Sequence, residues 1–343
     1  MEIQDVLAMP EYAFFREDSV FSTRPVMFVT LSGSLAYGTS TPHSDIDIRG
    51  CMLAAKSDLL GLTSYKGYAH EGTDTYLYAS QHFIGLCLDC NPAVLELLGC
   101  RPEEYALVSP AGRLLLDNYR VFLSQKVIDS FGEYANQQLI RLQNALAHDR
   151  MGEAAQAKHL KEAFERTLDG AKKRYSVFPN GSISFHIGES DKTGYDSELF
   201  ADISLEHYPV RDFASLVSDL STLSKNFSKL NNRNKKKDIP HLAKHMMHLL
   251  RLYYMLYDLL EREEIITYRA EEHDLLMEVR NGSYMTVDGL VRPEFYDILN
   301  DIKGKCNEAA KNTGLPKDPD IAKANDLAMA IHELAVLPGT QRS

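Results

Sequence analysis

The chain has 343 residues, of which 44% are hydrophobic and 25% are charged, which is ordinary usage for a folded protein large enough for two domains. Its formal net charge is −11, from 37 basic and 48 acidic residues, and this argues against a surface that coats nucleic acid nonspecifically. No stretch approaches about eighteen consecutive apolar residues, and the first residues lack the basic flank of a secretion signal, so we expect a soluble cytoplasmic protein with no membrane partner.

The first clear element is a strand at 26–31, which is followed by a Gly-Ser pair. The run Val-Met-Phe-Val-Thr-Leu is rich in β-branched and aromatic residues, as is typical of a buried strand. Gly33 ends the run and lets the backbone approach a bound phosphate closely. Ser34 can offer both its N–H and its hydroxyl group to the phosphate oxygens. The pair therefore predicts a phosphate-binding turn.

Two carboxylates follow this turn. The segment Asp45-Ile46-Asp47-Ile48 alternates polar and apolar residues, which in a strand places Asp45 and Asp47 on one face. Carboxylates this close repel each other unless a cation lies between them, and a hard divalent metal with oxygen ligands is the usual solution. We therefore predict a Mg²⁺ or Mn²⁺ site beside the phosphate-binding turn, which indicates metal-dependent nucleotidyl transfer.

These residues also carry a family resemblance. They form the spaced pattern Gly33-Ser34, Gly38 and Ser44-Asp45-x-Asp47. This pattern resembles the signature of the DNA polymerase β-like nucleotidyltransferase superfamily. The longer strings at 33–39, 44–50 and 91–98 are similar to a narrower branch, the predicted nucleotidyltransferases of bacteria and phages that includes RNA-ligase-associated polymerases. The resemblance implies that Tyr37 and Ser44 belong to the nucleotide site, and it suggests RNA repair as the setting.

The resemblance further implies a third carboxylate on a neighbouring strand, which orients the attacking hydroxyl group. The best candidate is Asp74, in the β-prone run Thr73-Asp-Thr-Tyr-Leu-Tyr78. Together with the metal, it would accept the proton of that hydroxyl group. Glu71 and Glu96 are the alternatives. Glu96 lies in an apolar segment, where a structural ion pair is as good an explanation as catalysis.

The organisation of the chain predicts an α+β fold. We expect a nucleotidyltransferase domain with a small mixed β-sheet at 1–120, followed by a mainly helical domain at 121–343. Leucines three and four residues apart indicate a helix after residue 118. At 177–210 the chain changes to strand-like alternation around a Gly- and Asp-rich centre, which indicates an inserted hairpin or ordered loop.

Two basic features lie in the helical part. The cluster at 231–237 is either a solvated loop or a patch for phosphate groups. On the helix that begins near residue 240, Lys244, His248 and Arg251 fall within one narrow stripe, while apolar residues occupy most of the circumference. A cationic stripe on such a helix needs an anionic partner, so we expect it to line an interdomain cleft and to bind the NTP phosphates. The other interpretation is a face exposed to water.

The sequence therefore predicts an enzyme that transfers an NMP from an NTP to a hydroxyl group and releases pyrophosphate. RNA 3′ ends, protein side chains and small molecules all remain open as acceptors, and neither the base preference nor the oligomeric state is readable. The competing class is a nucleotide-binding regulator or antitoxin-like interaction protein without turnover. The closely spaced aspartates favour the enzyme, because a binding module does not need mutually repelling carboxylates.

Overall fold

A computed structural model describes most of the chain. The described residues are 2–62, 64–150, 166, 168–170, 181–188, 198–206, 209–231, 239–287 and 289–336. Most of the basic cluster at 231–237 lies outside them. In the part of the chain that is described, no helix combines the length and the apolar character needed to cross a membrane.

The N-terminal part mixes short helices with strands. Its helices are α1 (Ile3–Ala8), α2 (Phe14–Glu17), α3 (Val20–Thr23), α4 (Gly33–Ala36), α5 (Lys56–Leu60), α6 (Ser80–Leu88), α7 (Pro92–Leu95) and α8 (Pro110–Asp117). Its strands are β1 (Val26–Leu31), β2 (Asp47–Met52), β3 (Gly67–His70), β4 (Asp74–Ala79) and β5 (Tyr105–Ala106). The predicted strand at 26–31 is thus confirmed.

The rest of the described chain is mainly helical. It contains the helices α9 (Lys126–Arg150), α10 (Val210–Asn231), α11 (Ile239–Glu261), α12 (His273–Arg280), α13 (Pro293–Asn312) and α14 (Ile321–Val336), and the strands β6 (Gly181–Gly188) and β7 (Glu198–Leu205). The predicted α+β class, with a small mixed sheet first and helices after it, is confirmed.

The strands of the N-terminal part form one mixed sheet in the order β3-β4-β2-β1-β5. Only the β2–β4 pair is parallel, and the other neighbours run antiparallel. Because β2 and β4 are parallel and in register, the residues that begin them lie at the same end of the sheet. This end carries the candidate site.

Both faces of the sheet are covered, which explains the continuous apolar run of β1. On one face, Val29 and Leu31 pack with Ile3 and Val6 of α1. On the other face, Phe28 meets Phe83 of α6 edge to face, with ring centroids 5.8 Å apart. Helix α14 packs on α6 and α8, so it lies on this second face.

The fold divides into two compact units, Met1–Leu142 with Ile239–Ser343, and Gln143–Asp238. This division differs from the expected boundary at residue 120, because the C-terminal helices belong to the same unit as the sheet. The reason is packing across the sequence: α14 lies against α6 and α8, and its His332 shares a 2.9 Å hydrogen bond between Nε2 and the Ser80 hydroxyl of α6.

The second unit contains the segment for which a hairpin or ordered loop was predicted. Strands β6 and β7 pair antiparallel, with Ile183 opposite Ile203 and Phe185 opposite Ala201. Ile183 and Phe185 form a small core with Leu216 of α10. The alternation of polar and apolar residues in β6 is therefore the alternation between this core and the opposite face.

Candidate active site

Two carboxylates meet where β2 and β4 begin. Asp47 is the first residue of β2, Asp74 is the first residue of β4, and the two are direct partners in the parallel register. Their side chains are hydrogen bonded to each other. Burial, together with the neighbouring Asp74 carboxyl group, raises the pKa of Asp47 to about 6. The hydrogen bond from Asp47 lowers the pKa of Asp74. When no cation is bound, the pair therefore holds a shared proton below about pH 6 and loses it above that pH.

Arg49 completes this group. Arg49 follows Asp47 by two residues, so both side chains lie on the same face of β2. The Nη2 of Arg49 donates to Asp74 Oδ1 at 2.7 Å. Its Nη1 also donates to the main-chain oxygen of Asp74 at 2.7 Å. The guanidinium group thereby fixes the position of Asp74, whose side chain is 62% exposed.

Asp45 lies apart from the strand. The prediction that Asp45 and Asp47 alternate along one strand is wrong, because β2 begins at Asp47 and Asp45 is an exposed loop residue. The cause is the end of β1 at Leu31, which pairs with Ile48, so that the chain before Asp47 has no β1 residue to pair with. The charge of Asp45 still contributes to the raised pKa of Asp47.

The Gly-Ser pair starts the short helix α4 next to the carboxylates. Gly33 has a φ of +60°, and a Cβ atom at this position would collide with Oδ2 of Asp47. Only glycine therefore allows the backbone of the turn to approach the carboxylate this closely. The N–H of Ser32 donates to the carbonyl oxygen of Asp47 at 2.9 Å, which ties the start of the turn to β2.

Tyr37 and Arg251 belong to a buried network around Glu96. The Tyr37 hydroxyl donates to the Glu96 carboxylate at 2.9 Å, and Arg251 Nη1 lies 3.0 Å from Glu96 Oε2. The guanidinium carbon of Arg251 lies 3.7 Å from the centroid of the Tyr37 ring. The predicted nucleotide contacts of these two residues are therefore corrected: their partner is Glu96, which explains why an apolar segment tolerates that carboxylate.

The three members of the predicted cationic stripe have different surroundings. Lys244 is exposed, Arg251 is 5% exposed and paired with Glu96, and His248 packs edge to face on Tyr37 with centroids 6.2 Å apart. Burial and the nearby Arg251 lower the pKa of His248 to about 3, so its imidazole is neutral. Lys244 lines the cavity described next.

We call this cavity the cationic cavity. It has a volume of about 430 Å³ and is lined by residues that include Thr41, His43, His241, Lys244, Arg280 and Asn281. Arg280 reaches the loop before β2, where its Nη2 donates to the Ser44 hydroxyl at 3.0 Å. Its Nη1 is buried and has no hydrogen-bond partner among the described residues. Such a donor is costly unless an anion binds to it.

A second cavity, the tyrosine cavity, adjoins Asp74. It has a volume of about 520 Å³, and residues lining it include Arg49, His70, Thr73, Asp74, Tyr76 and Tyr78. Tyr76 and Tyr78 meet edge to face, with centroids 4.7 Å apart. Because Arg49 is the register partner of Tyr76, a cation and two aromatic rings share one face of the sheet.

The alternative third carboxylates lie elsewhere. Glu71 is exposed in the turn between β3 and β4, and Glu96 is occupied by the buried network described above. In the described part of the chain, no three His, Cys, Asp or Glu side chains gather into a ready metal site.

Comparison with known families agrees with this arrangement. Residues 12–173 match the model of the RNA repair pathway DNA polymerase beta family. This match is consistent with the polymerase beta-like nucleotidyltransferase superfamily. The predicted resemblance is thus confirmed, and the family match points to nucleotidyltransferase activity. No curated protein and no solved structure matches the chain.

Arg280 was not assigned a role from the sequence, although it reaches the loop of the superfamily motif. It ends α12, next to Asn281-Gly282, and lies outside the matched residues. The sequence makes Arg269 and Arg280 candidates to join the stripe of Lys244, His248 and Arg251 without fixing their individual roles, and a basic residue in the last turn of a helix is also the ordinary way to stabilise a helix end. The hydrogen bond to Ser44 becomes apparent only when α12 and the loop before β2 are brought together.

Proposed function

We propose that the protein is a metal-dependent nucleotidyltransferase that transfers an NMP from an NTP to a hydroxyl group and releases pyrophosphate. The observation that carries this proposal is the pairing of Asp47 and Asp74 at the start of adjacent parallel strands, directly beside Gly33. Transfer at an α-phosphate develops negative charge on the attacking and leaving oxygens, and a paired-carboxylate site is suited to holding the cations that stabilise it.

The donor set fits a hard divalent cation. Two carboxylates that raise the proton affinity of one of their number to a pKa of about 6 offer oxygen ligands and negative charge to which a hard cation can bind in place of the proton. Asp47 and Asp74 would hold Mg²⁺ or Mn²⁺, and Asp45 in the preceding loop would complete the set. When bound, the ion supplies Lewis acidity and charge neutralisation at the reacting phosphate. Asp74 would then orient the attacking hydroxyl group and accept its proton.

The cationic cavity supports a site for the NTP phosphates. The unpartnered Nη1 of Arg280 and the exposed Lys244 are both suited to phosphate oxygens. The hydrogen bond from Arg280 to Ser44 links this cavity to the loop that leads into Asp45 and Asp47. Gly33 and Ser34 would hold the phosphate nearest to the carboxylates. Arg251 has no part in this role, since Glu96 neutralises it.

The acceptor that we propose is an RNA 3′ end. The family matched by residues 12–173 is described as an RNA repair pathway family, and this favours RNA over a protein side chain or a small molecule. Because its net charge is −11, the protein would bind such an acceptor at a local site rather than along an extended basic surface.

The test combines metal binding with turnover. We expect Asp47→Asn and Asp74→Asn to weaken Mn²⁺ binding, measured by electron paramagnetic resonance, and to lower pyrophosphate release about a thousandfold or more. The matched control is Asp297→Asn, which changes an exposed aspartate of α13 and should leave both measurements unchanged.

Two results would count against the proposal. Wild-type pyrophosphate release by either active-site variant would remove the assigned roles. Calorimetric binding of an NTP without any pyrophosphate release, over a panel of RNA, protein and small-molecule acceptors, would favour the regulator instead.

A further inference from the structure

The tyrosine cavity has no role in binding the NTP as proposed above, yet it opens beside Asp74. Its volume of about 520 Å³ is in the range of sites for small organic ligands, roughly 300–1,000 Å³. The wall next to Asp74 carries Arg49, and the strand beyond Asp74 contributes Tyr76 and Tyr78. The cavity thus combines flat aromatic surface with one cation at the edge of the carboxylate pair.

We propose that this cavity binds the 3′-terminal nucleotide of a single-stranded RNA acceptor, with the base on Tyr76 and the adjoining phosphate on Arg49. The inference rests on the proposed function and assigns acceptor-binding residues to it. The order of residues along β4 supports it, because Asp74 comes first and the tyrosines follow on the same face. A base on the tyrosines therefore leaves the sugar hydroxyl group close to Asp74.

The aromatic residues are held in place before any ligand arrives. Tyr78 packs edge to face on both Tyr76 and Phe83, with centroid distances of 4.7 and 5.9 Å. Both tyrosines are half-buried, so their rings have limited freedom. A restrained ring binds a base with little loss of side-chain entropy, and every base has a face that can stack. The site should therefore tolerate different terminal bases.

Arg49 is positioned to meet a phosphate group. Its hydrogen bonds to Asp74 use Nη1 and Nη2, and a guanidinium group carries five N–H donors in a planar fork. It can therefore hold Asp74 and contact a phosphate oxygen at the same time. A peptide acceptor would use this arrangement less well, because serine and threonine have no flat ring for Tyr76, and tyrosine, which has one, carries no anion for Arg49.

The experiment uses the full chain and a single-stranded RNA of about ten nucleotides with 2-aminopurine at its 3′ end, whose fluorescence falls when the base stacks. Without NTP, the wild-type protein should quench the probe. Tyr76→Leu should raise the Kd about tenfold or more and abolish the quenching, whereas Tyr76→Phe should keep both close to wild type. The control is Tyr296→Leu, because Tyr296 is a half-buried tyrosine of α13 that does not line the cavity.

Separate measurements distinguish this inference from the proposed function. NTP binding in the presence of Mg²⁺, measured by calorimetry, should be the same in Tyr76→Leu as in the wild type. If the wild type binds NTP and releases pyrophosphate but does not quench the RNA probe, the inference is overturned and the proposed function stands. A Tyr76→Leu variant that binds the RNA probe as tightly as the wild type would also overturn the inference. An equivalent DNA probe that binds as tightly as the RNA would overturn the choice of RNA.

Discussion

At the scale of single residues, the position of Glu96 decides how several others are interpreted. A glutamate in an apolar segment is compatible with catalysis or with a structural ion pair. The structure gives it two partners, Tyr37 and Arg251, and all three side chains are buried. Glu96 therefore connects α11 to the segment that follows the phosphate-binding turn, and two residues predicted to bind nucleotide support the fold instead.

This network predicts that removal of Glu96 destabilises the protein much more than removal of a carboxylate from an exposed ion pair. Glu96→Ala leaves the Arg251 guanidinium buried without its carboxylate, so we expect a loss of about 3–5 kcal/mol in the free energy of unfolding. The control is Glu264→Ala, which breaks the exposed pair with Arg120 at 3.0 Å and should cost about 1 kcal/mol or less. Urea denaturation of both variants measures the difference. Equal losses would contradict the structural role of Glu96.

At the scale of elements, α4 and the register of β2 with β4 build the candidate site. The turn at the start of α4 needs a positive φ at Gly33, and its backbone lies against the Asp47 carboxylate. The parallel pairing brings Asp47 and Asp74 together although they are separated by α5 and β3 in the chain. A shift of this register by one residue would turn one of the two carboxylates to the opposite face.

The turn predicts opposite effects for two glycine substitutions. Gly33→Ala places a Cβ atom against Asp47 and requires alanine to adopt the left-handed region, so it should lower the free energy of unfolding by at least about 1–2 kcal/mol and weaken Mn²⁺ binding. Gly304→Ala, within α13, meets no atom within 4 Å and should raise stability by about 0.5–1 kcal/mol. Thermal unfolding and Mn²⁺ titration measure both variants. A stabilised Gly33→Ala variant would contradict the turn geometry.

At the scale of the whole molecule, buried neutral histidines make stability depend on pH. Burial lowers the pKa of His248 to about 3 and also lowers the pKa of His332. The charged groups that act on His248 are cations, from Arg251, Lys244 and His245 of α11 and from Arg280 of α12. Since both histidines bind protons more readily when the chain is unfolded, stability falls as the pH falls.

The size of this effect follows from the pKa of an unfolded histidine, about 6.5. Between pH 6.5 and pH 5, His248 should contribute a loss of about 2 kcal/mol in the free energy of unfolding, because each unit of pH costs about 1.4 kcal/mol while only the unfolded state is protonated. His248→Gln should reduce this loss, and His273→Gln, which changes a partly exposed histidine whose side chain is 41% exposed, should not. Urea denaturation at several pH values measures it. An unchanged pH dependence in His248→Gln would contradict the burial of His248.

The local elements could be predicted from the sequence because their signals are short-range. The apolar run at 26–31 predicted β1, and the change of pattern near residue 177 coincided with β6 and β7. The motif from Gly33 to Asp47 also indicated the superfamily, because it gathers the turn and two carboxylates within a single stretch of chain.

What the sequence by itself determined was therefore the strand, the turn, the superfamily and the neighbourhood of the carboxylates. Only the tertiary structure decided which charges meet. Asp74 reaches Asp47 through strand pairing, Arg251 is neutralised by Glu96, and Arg280 approaches Ser44 from a distant helix. A helical stripe specifies which face a cation occupies, but its partner depends on packing between segments more than a hundred residues apart, and periodicity carries no information about that.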